Sequence, residues 1–200
     1  MRITLLRHAK TQGNLEMRYV GRTDEPLSQE GISFAESLEA DTSVKRVFTS
    51  ALLRTKQTAL LLFPRAKIIP LEGLNEMDFG VFEGRSAMEM VQDKDYQAWV
   101  DKGCEDACPG GESMESFTLR CTAAFLEAAS RAAEEGSESE AFVTHGGVIM
   151  AIMGTLALPL KPRINWMAAN CGGFVVDYNK ATREERPLRV LESIRDREWG

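Results

Sequence analysis

The chain contains two histidines, and each follows a short apolar run. Ile3 to Leu6 stops at Arg7-His8, and Ala141 to Val143 stops at Thr144-His145-Gly146-Gly147. Buried parallel strands read as runs of this kind, and an open α/β sheet gathers its reactive groups beyond the carboxyl ends of such strands. Either histidine alone would be read as a satisfied structural imidazole; two at matching strand ends predict chemistry at one edge. Glycine directly after His145 lets a helix start there, with backbone N–H groups such as that of Gly146 aimed at an anion. Arg54, in the first turn of a predicted helix that follows another strand, would at that edge be a phosphate clamp rather than a solvated charge. Glu76, Asp78 and Glu83 share one loop, and at least one of them could donate a proton if partly buried.

Positioning these groups requires a folded domain, and the composition supplies one. The chain has 200 residues, 44% hydrophobic and 27% charged, enough for one well-buried domain, or a domain with a small cap. A formal charge of −6 argues against nucleic acid or an anionic membrane as partner, since such binding needs a basic face. Any phosphate site must then be a local concentration of arginine. The N-terminus lacks a signal-like pattern and no apolar run approaches a membrane span, so a cytoplasmic location is expected. Cys104, Cys108, Cys121 and Cys171 form no C-x-x-C pair and read as reduced, packed thiols; no metal site is expected from them.

In order, the chain alternates strand-like and helix-like segments, which predicts an α/β fold with three layers and a mostly parallel central sheet. After the first strand comes a long polar loop, Thr11 to Leu27, with Arg18, Gly21, Arg22 and Asp24. Ser28 reads as the N-cap of a helix running to about Glu39. Val44 to Thr49 is a second strand, and Ser50 is placed to cap the helix that follows. Leu52, Ala59, Leu60 and Phe63 share one face of that helix. Lys67 to Leu71 supplies a third strand, and 74–84 reads as an ordered loop.

Short helical pieces are expected from Ala87 to Val100, with a cap-like insertion around 83–112. Ser113 opens a long helix with an inward face of Phe117, Cys121, Ala124, Phe125, Ala128 and Ala132. Glu134 to Glu140 reads as a solvated turn before the strand that ends at His145. Val148 to Leu156 is apolar around most of its circumference and predicts a buried helix. Gly172 to Tyr178 and Leu188 to Ile194 read as late strands paired near the edge of the sheet.

These residues resemble the motifs of the histidine phosphatase superfamily, the phosphoglycerate-mutase-like fold. Leu6-Arg7-His8-Ala9 is similar to its R-H-G signature, and the stretch from Ser50 to Ala59 to its S-x-L-x-R-[AT]-x-Q-T-A helix. Leu74 to Gly80 resembles L-x-E-x-x-[FY]-G, Pro109 to Ser113 is P-G-G-E-S, and Val143 to Gly147 matches the second histidine motif. The resemblance implies a single histidine phosphatase domain over 1–200. It implies that His8 is the nucleophile, that Arg7, Arg54 and His145 hold the phosphoryl oxygens, and that Glu76 is the acid–base group. Asn14 and the N–H of Gly146 would be further phosphate contacts. Arg22 and Arg85 could reach a second anionic group. Ala9 and Lys10 depart from the family pattern, where glycine and often an acid stand.

The chemistry suits these residue types. A neutral imidazole is not repelled by a phosphate dianion and can carry the phosphoryl group covalently. Flanking arginines neutralise developing charge and lower the pKa of His8, while a carboxyl with a raised pKa protonates the leaving alkoxide. His145 is then expected to be protonated, a fixed charge. The scheme needs no metal and no cofactor, only a small-molecule phosphate ester. A phosphomonoester hydrolase is the expected activity, and Gly21-Arg22-Thr23-Asp24 with the middle of the chain most resembles α-ribazole phosphatases of cobalamin synthesis. A phosphoglycerate mutase, a protein phosphohistidine phosphatase and a catalytically silent binding module remain open alternatives.

Overall fold

β1 (Arg2–Arg7) is buried on both sides: Ile3 and Leu5 join one apolar cluster and Leu6 the other, the alternation that strand geometry imposes. It is followed by α1 (Gln12–Leu15), α2 (Gln29–Glu36), β2 (Arg46–Thr49), α3 (Leu53–Leu62), β3 (Lys67–Pro70) and α4 (Lys94–Asp101). Then come α5 (Met114–Glu134), β4 (Ser139–Thr144), α6 (Gly146–Leu156), the two-residue β5 (Ala157–Leu158), β6 (Gly173–Tyr178) and β7 (Leu188–Ile194). The computed structural model describes residues 1–180 and 186–194.

The strands form one sheet in the order β3-β2-β4-β1-β6-β7-β5. β3, β2, β4 and β1 run parallel, whereas β6 is antiparallel to β1 and β7 to β6. The carboxyl ends of the first four strands therefore share an edge. Because β6 is reversed, its amino end lies at that same edge, and the segment leading into it is delivered beside Arg7 and His8.

α5 and α6 cover one face of the sheet, and α2 and α3 the other. The α5 face predicted from spacing is buried at Phe117, Cys121, Phe125, Ala128 and Ala132, with Ala124 half-buried. Phe125 packs at 4.9 Å against Phe142 of β4, which stacks at 4.7 Å on Phe48 of β2. Truncating such a ring to alanine typically costs about 3–5 kcal/mol. A separate small cluster of Phe82, Met90, Trp99 and Cys108, joined by Tyr19, Phe79, Tyr96 and Cys104, includes residues of the 11–27 and 74–84 loops.

Several local expectations are corrected. Ser28 does cap α2, accepting from Gly31 N–H at 3.0 Å, but the helix ends at Glu36 rather than Glu39. Ser50 is not the cap of α3. Leu52 occupies that position, and the capping acceptor is Asp24, whose Oδ1 takes the Leu53 N–H at 2.6 Å. Leu60 is 59% exposed, since α3 is covered along a narrower stripe than its spacing suggested. The third strand stops at Pro70, and within 87–100 the α-helix begins only at Lys94, capped by Asp93. Glu140 is not in a solvated turn; it is a buried residue of β4 paired with Arg46. Among the described residues no helix is long and apolar enough to cross a membrane.

Candidate active site

Parallel pairing of β1 with β4 sets Arg7 opposite Thr144, and the next N–H, that of His8, donates to the Thr144 carbonyl at 2.9 Å. His8 and His145 consequently stand side by side, ring centroids 5.1 Å apart and planes at 67°. Both are buried, at 4% and 0% exposure. Nδ1 of His8 lies 2.7 Å from the Ala9 carbonyl, which can only accept. The hydrogen therefore belongs on Nδ1, leaving the Nε2 lone pair free to attack. On His145 the assignment is reversed: Arg54 Nε–H donates to Nδ1 at 3.3 Å, so Nε2–H faces Ser50 Oγ at 2.9 Å.

The remaining groups arrive from separate elements. Arg54, on the first turn of α3, is 1% exposed and donates to the carbonyls of Thr23 at 2.7 Å and Gly21 at 2.8 Å. It thus fastens the 11–27 loop over the two rings. Arg7 Nη1 donates to the Ala168 carbonyl at 3.0 Å, while its buried Nε has no partner. Glu76 accepts from the N–H of Met77 and, across the site, of Gly147, each at 3.0 Å. Asn14 Oδ1 accepts from the Thr11 N–H at 3.2 Å and from Asn170 Nδ2 at 3.3 Å, which leaves the Asn14 NH₂ as its group to offer. Gly146 opens α6, and its place against the Arg7 guanidinium, 3.4 Å from where a Cβ would stand, puts this helix N-terminus beside that cation.

Burial dominates the electrostatics. It holds the imidazole of His8 well below its usual pKa, with Arg54 and Arg7 adding to the effect. It lowers Arg7 and Arg54 from their usual values too. Glu76 keeps some surface as a residue, but its carboxyl is deep enough for desolvation to raise its pKa against the pull of two backbone N–H groups and both arginines. The expectation that His145 is a fixed cation is overturned in this structure. Burial, then Arg54, push its imidazole well below the usual range, and an Arg54 N–H already occupies Nδ1.

The structure brings together Arg7, His8, Asn14, Arg54, Glu76, His145 and Gly146, and leaves other expected residues outside. Arg22 is 74% exposed and paired with Asp78, and Arg85 is paired with Asp93. Lys10 turns away to Glu30. Ala9 needs no glycine-like backbone: it is buried, does not have a positive φ, and its N–H donates to Thr58 Oγ1 at 2.9 Å. Of the three loop acids, Glu83 accepts the N–H of Gly21 and of Thr23, and Asp78 that of Gly80. Only Glu76 of these faces the histidines through Gly147.

Sequence reasoning missed three participants. Ser50 holds His145. Arg120, on α5, donates to the carbonyls of Gly73, Asn75 and Glu76 and pairs with Glu112, bracing the acid's loop against the P-G-G-E-S turn. Asn170 reaches the His8 carbonyl at 2.8 Å. The serine and the glutamate fell inside quoted motifs, whereas nothing in the local pattern marks Arg120 or Asn170. Among the described residues no group of three or more His, Cys, Asp or Glu side chains is arranged to hold a metal ion.

Comparison with known proteins bears on the family and the fold. A family model described as histidine phosphatase superfamily (branch 1) matches residues 3–189. A relative named probable phosphoglycerate mutase GpmB, from Enterobacter sp. (strain 638), is 30% identical over 189 residues, covering 90% of this chain and 86% of its own. Among solved structures, an α-ribazole phosphatase from Shigella flexneri superposes with a TM-score of 0.81 at 25% identity, covering 100% of this chain and 98% of that one. A phosphoglycerate mutase from Thermus thermophilus gives 0.69 at 29% identity, covering 98% and 99%.

Proposed function

The chain belongs to the histidine phosphatase superfamily (branch 1) and is a phosphatase; from that premise we propose that it hydrolyses small-molecule phosphate monoesters through a phosphohistidine on His8. The observation that carries the reading is the 2.7 Å contact between His8 Nδ1 and the Ala9 carbonyl, which assigns the tautomer. Its Nδ1–H is committed to the Ala9 carbonyl, and burial keeps the ring neutral, so Nε2 presents an unprotonated lone pair at the strand edge.

In the first step Nε2 attacks phosphorus, the P–O bond to the alcohol breaks, and the leaving oxygen takes the proton of the Glu76 carboxyl. Burial favours that protonated form. In the second step the Glu76 carboxylate accepts a proton from water, the water oxygen bonds to phosphorus, and the N–P bond breaks to restore the lone pair. Arg7, with its unpartnered Nε, the Asn14 NH₂ and the Gly146 N–H face the phosphoryl oxygens. Removing a proton donor such as Glu76 typically costs on the order of 10²–10⁴-fold in rate.

For the substrate, the higher TM-score to the Shigella flexneri α-ribazole phosphatase favours α-ribazole 5′-phosphate over the phosphoglycerates. A mutase is the second reading, favoured by the names of the curated relatives. Against it stands an interval of 69 positions from Glu76 to His145, short for a lid that retains a bisphosphate. The test is a panel of α-ribazole 5′-phosphate, 2- and 3-phosphoglycerate, sugar phosphates and a phosphohistidine peptide, with alkali-quenched phosphoenzyme assayed in parallel. An acid-labile, alkali-stable label on wild type that is absent from His8→Ala supports the mechanism. Full turnover by His8→Ala refutes it.

A further inference from the structure

The segment 168–172, which leads into antiparallel β6, lies against the end of the nucleophile strand. The Ala168 carbonyl accepts from Arg7 Nη1 at 3.0 Å. Cys171 N–H donates to the Arg7 carbonyl at 3.0 Å, and Arg7 N–H donates to the Gly172 carbonyl at 2.9 Å. Cys171 has φ +56°, a left-handed conformation rare for a residue with a side chain, and the turn it makes is followed by Gly173, where a Cβ would lie 1.8 Å from the Leu5 carbonyl oxygen. Strain of this kind persists only where surrounding bonds over-determine it.

Within this segment one side chain reaches the reacting groups. Asn170 Nδ2 donates both to the His8 carbonyl at 2.8 Å and to Asn14 Oδ1 at 3.3 Å. The His8 N–H is already held by Thr144, so the amide of Asn170 fixes the other end of the same residue. On Asn14 Oδ1 it adds a second donor to the Thr11 N–H at 3.2 Å, which keeps the Asn14 NH₂ outward as the donor. We propose that Asn170 is a positioning residue that locks the nucleophilic imidazole and the Asn14 phosphate donor into one rigid unit. The proposal rests on the phosphatase reading above, and it assigns Asn170 no contact with substrate.

The consequence is coupling. If one amide sets both groups, losing it costs much of what losing Asn14 costs, and losing both costs little more than the worse single loss. A displacement near 1 Å is enough for about a 10²-fold effect on rate. Asn170→Leu keeps the volume without the donor, and Asn170→Ala is a second variant that fits the same space. The experiment measures kcat/KM on p-nitrophenyl phosphate, orthovanadate affinity and Tm for wild type, both Asn170 variants, Asn14→Ala and the Asn14→Ala/Asn170→Ala double variant.

The expected result is a 10- to 100-fold fall in kcat/KM with weakened vanadate binding, Tm close to wild type, and a double-variant loss within about threefold of the worse single. Wild-type kcat/KM in a folded Asn170 variant overturns the proposal, as do losses that multiply fully in the double variant. A wild type that binds vanadate but turns over no monoester sinks the phosphatase reading instead. Vanadate affinity then decides the role of Asn170 by the same comparison.

Discussion

Gly147→Ala separates the acid–base step from everything else the site does. A Cβ at this position would stand 2.4 Å from Glu76 Oε1 and 3.1 Å from its Cδ, against an ordinary contact of 3.4 Å or more. The carboxyl is the free end of a side chain, so it swings by about 1 Å rather than forcing the helix apart, and the Gly147 N–H to Oε2 bond is lost with it. The fold tolerates this. Alanine in the first turn of α6 is favoured over glycine by up to about 1 kcal/mol, offsetting the lost bond. Catalysis should not tolerate it, since a misplacement of that size costs about 10²-fold, or about 2.7 kcal/mol in the barrier.

Leaving groups reveal which step is hit. kcat/KM reports the chain of events only through phosphorylation of His8, and p-nitrophenolate departs without needing a proton. The variant is therefore expected to lose about 10²-fold in kcat/KM on an alkyl monoester and less than about threefold on p-nitrophenyl phosphate, with Tm nearly unchanged. Equal losses on both substrates would show that Gly147 acts on phosphate binding and not through Glu76. No loss on either would remove Glu76 from the chemistry.

Stability should fall as the solution is acidified below pH 6.5. His8 and His145 have folded pKa values well below that reference, so through these two groups the unfolded chain binds about one more proton than the native one at pH 6.5 and approaches two more about a unit lower. The slope is then about 1.4 kcal/mol per pH unit at pH 6.5 and tends to about 2.7 below it, native stability rising with pH. Glu76 works with the opposite sign: its folded pKa is raised above 4.5, so its contribution declines as pH rises through the folded value, offsetting at most about 1.4 kcal/mol per pH unit. Denaturant melts of wild type and His145→Asn between pH 5 and pH 7.5 check this, and an unchanged slope in the variant contradicts the assignment. Arg120→Met strips the carbonyls of Gly73, Asn75 and Glu76 of a donor and leaves Glu112 unpaired. A stability loss of about 1–3 kcal/mol is expected, read from denaturant melts. Phosphate binding should draw a proton onto His145, visible as calorimetric enthalpies that differ between buffers of different ionisation heat; buffer-independent enthalpies would refute it.

The sheet was readable because β1, β2 and β4 are apolar runs and because α5 keeps one helical face over many turns. Both histidines were readable for the same reason: each directly follows such a run. Ser50 was misread because a serine before a helix is most often a cap, and nothing local shows that Asp24, 29 positions before Leu53, folds back to take the Leu53 N–H. Asn170 and Arg120 act on partners 162 and roughly 45 positions away, through a sheet order and a turn that no periodicity encodes. The charge of His145 was misjudged for another reason. Its neighbours were read as a phosphate cage, but the sign of its shift is set by how completely the ring is desolvated, which depends on the closed fold.

That desolvation clarifies how the site holds two guanidiniums with neither paired to a carboxylate among the described residues. Arg54 satisfies its donors on loop carbonyls and Arg7 spends one on Ala168, so neither needs a protein carboxylate pressed against it. A carboxylate there would neutralise the cage and raise the His8 pKa, protonating the nitrogen that must attack. The acid is instead set apart, held by backbone N–H groups and inclined by burial to keep its proton. Backbone carbonyls on the cations and backbone amides on the acid thus keep the two apart in charge while leaving them close in space. Reversed β6 contributes to the arrangement, since an antiparallel neighbour delivers the segment before it, with the Ala168 carbonyl that accepts from Arg7, to the edge where β1 ends.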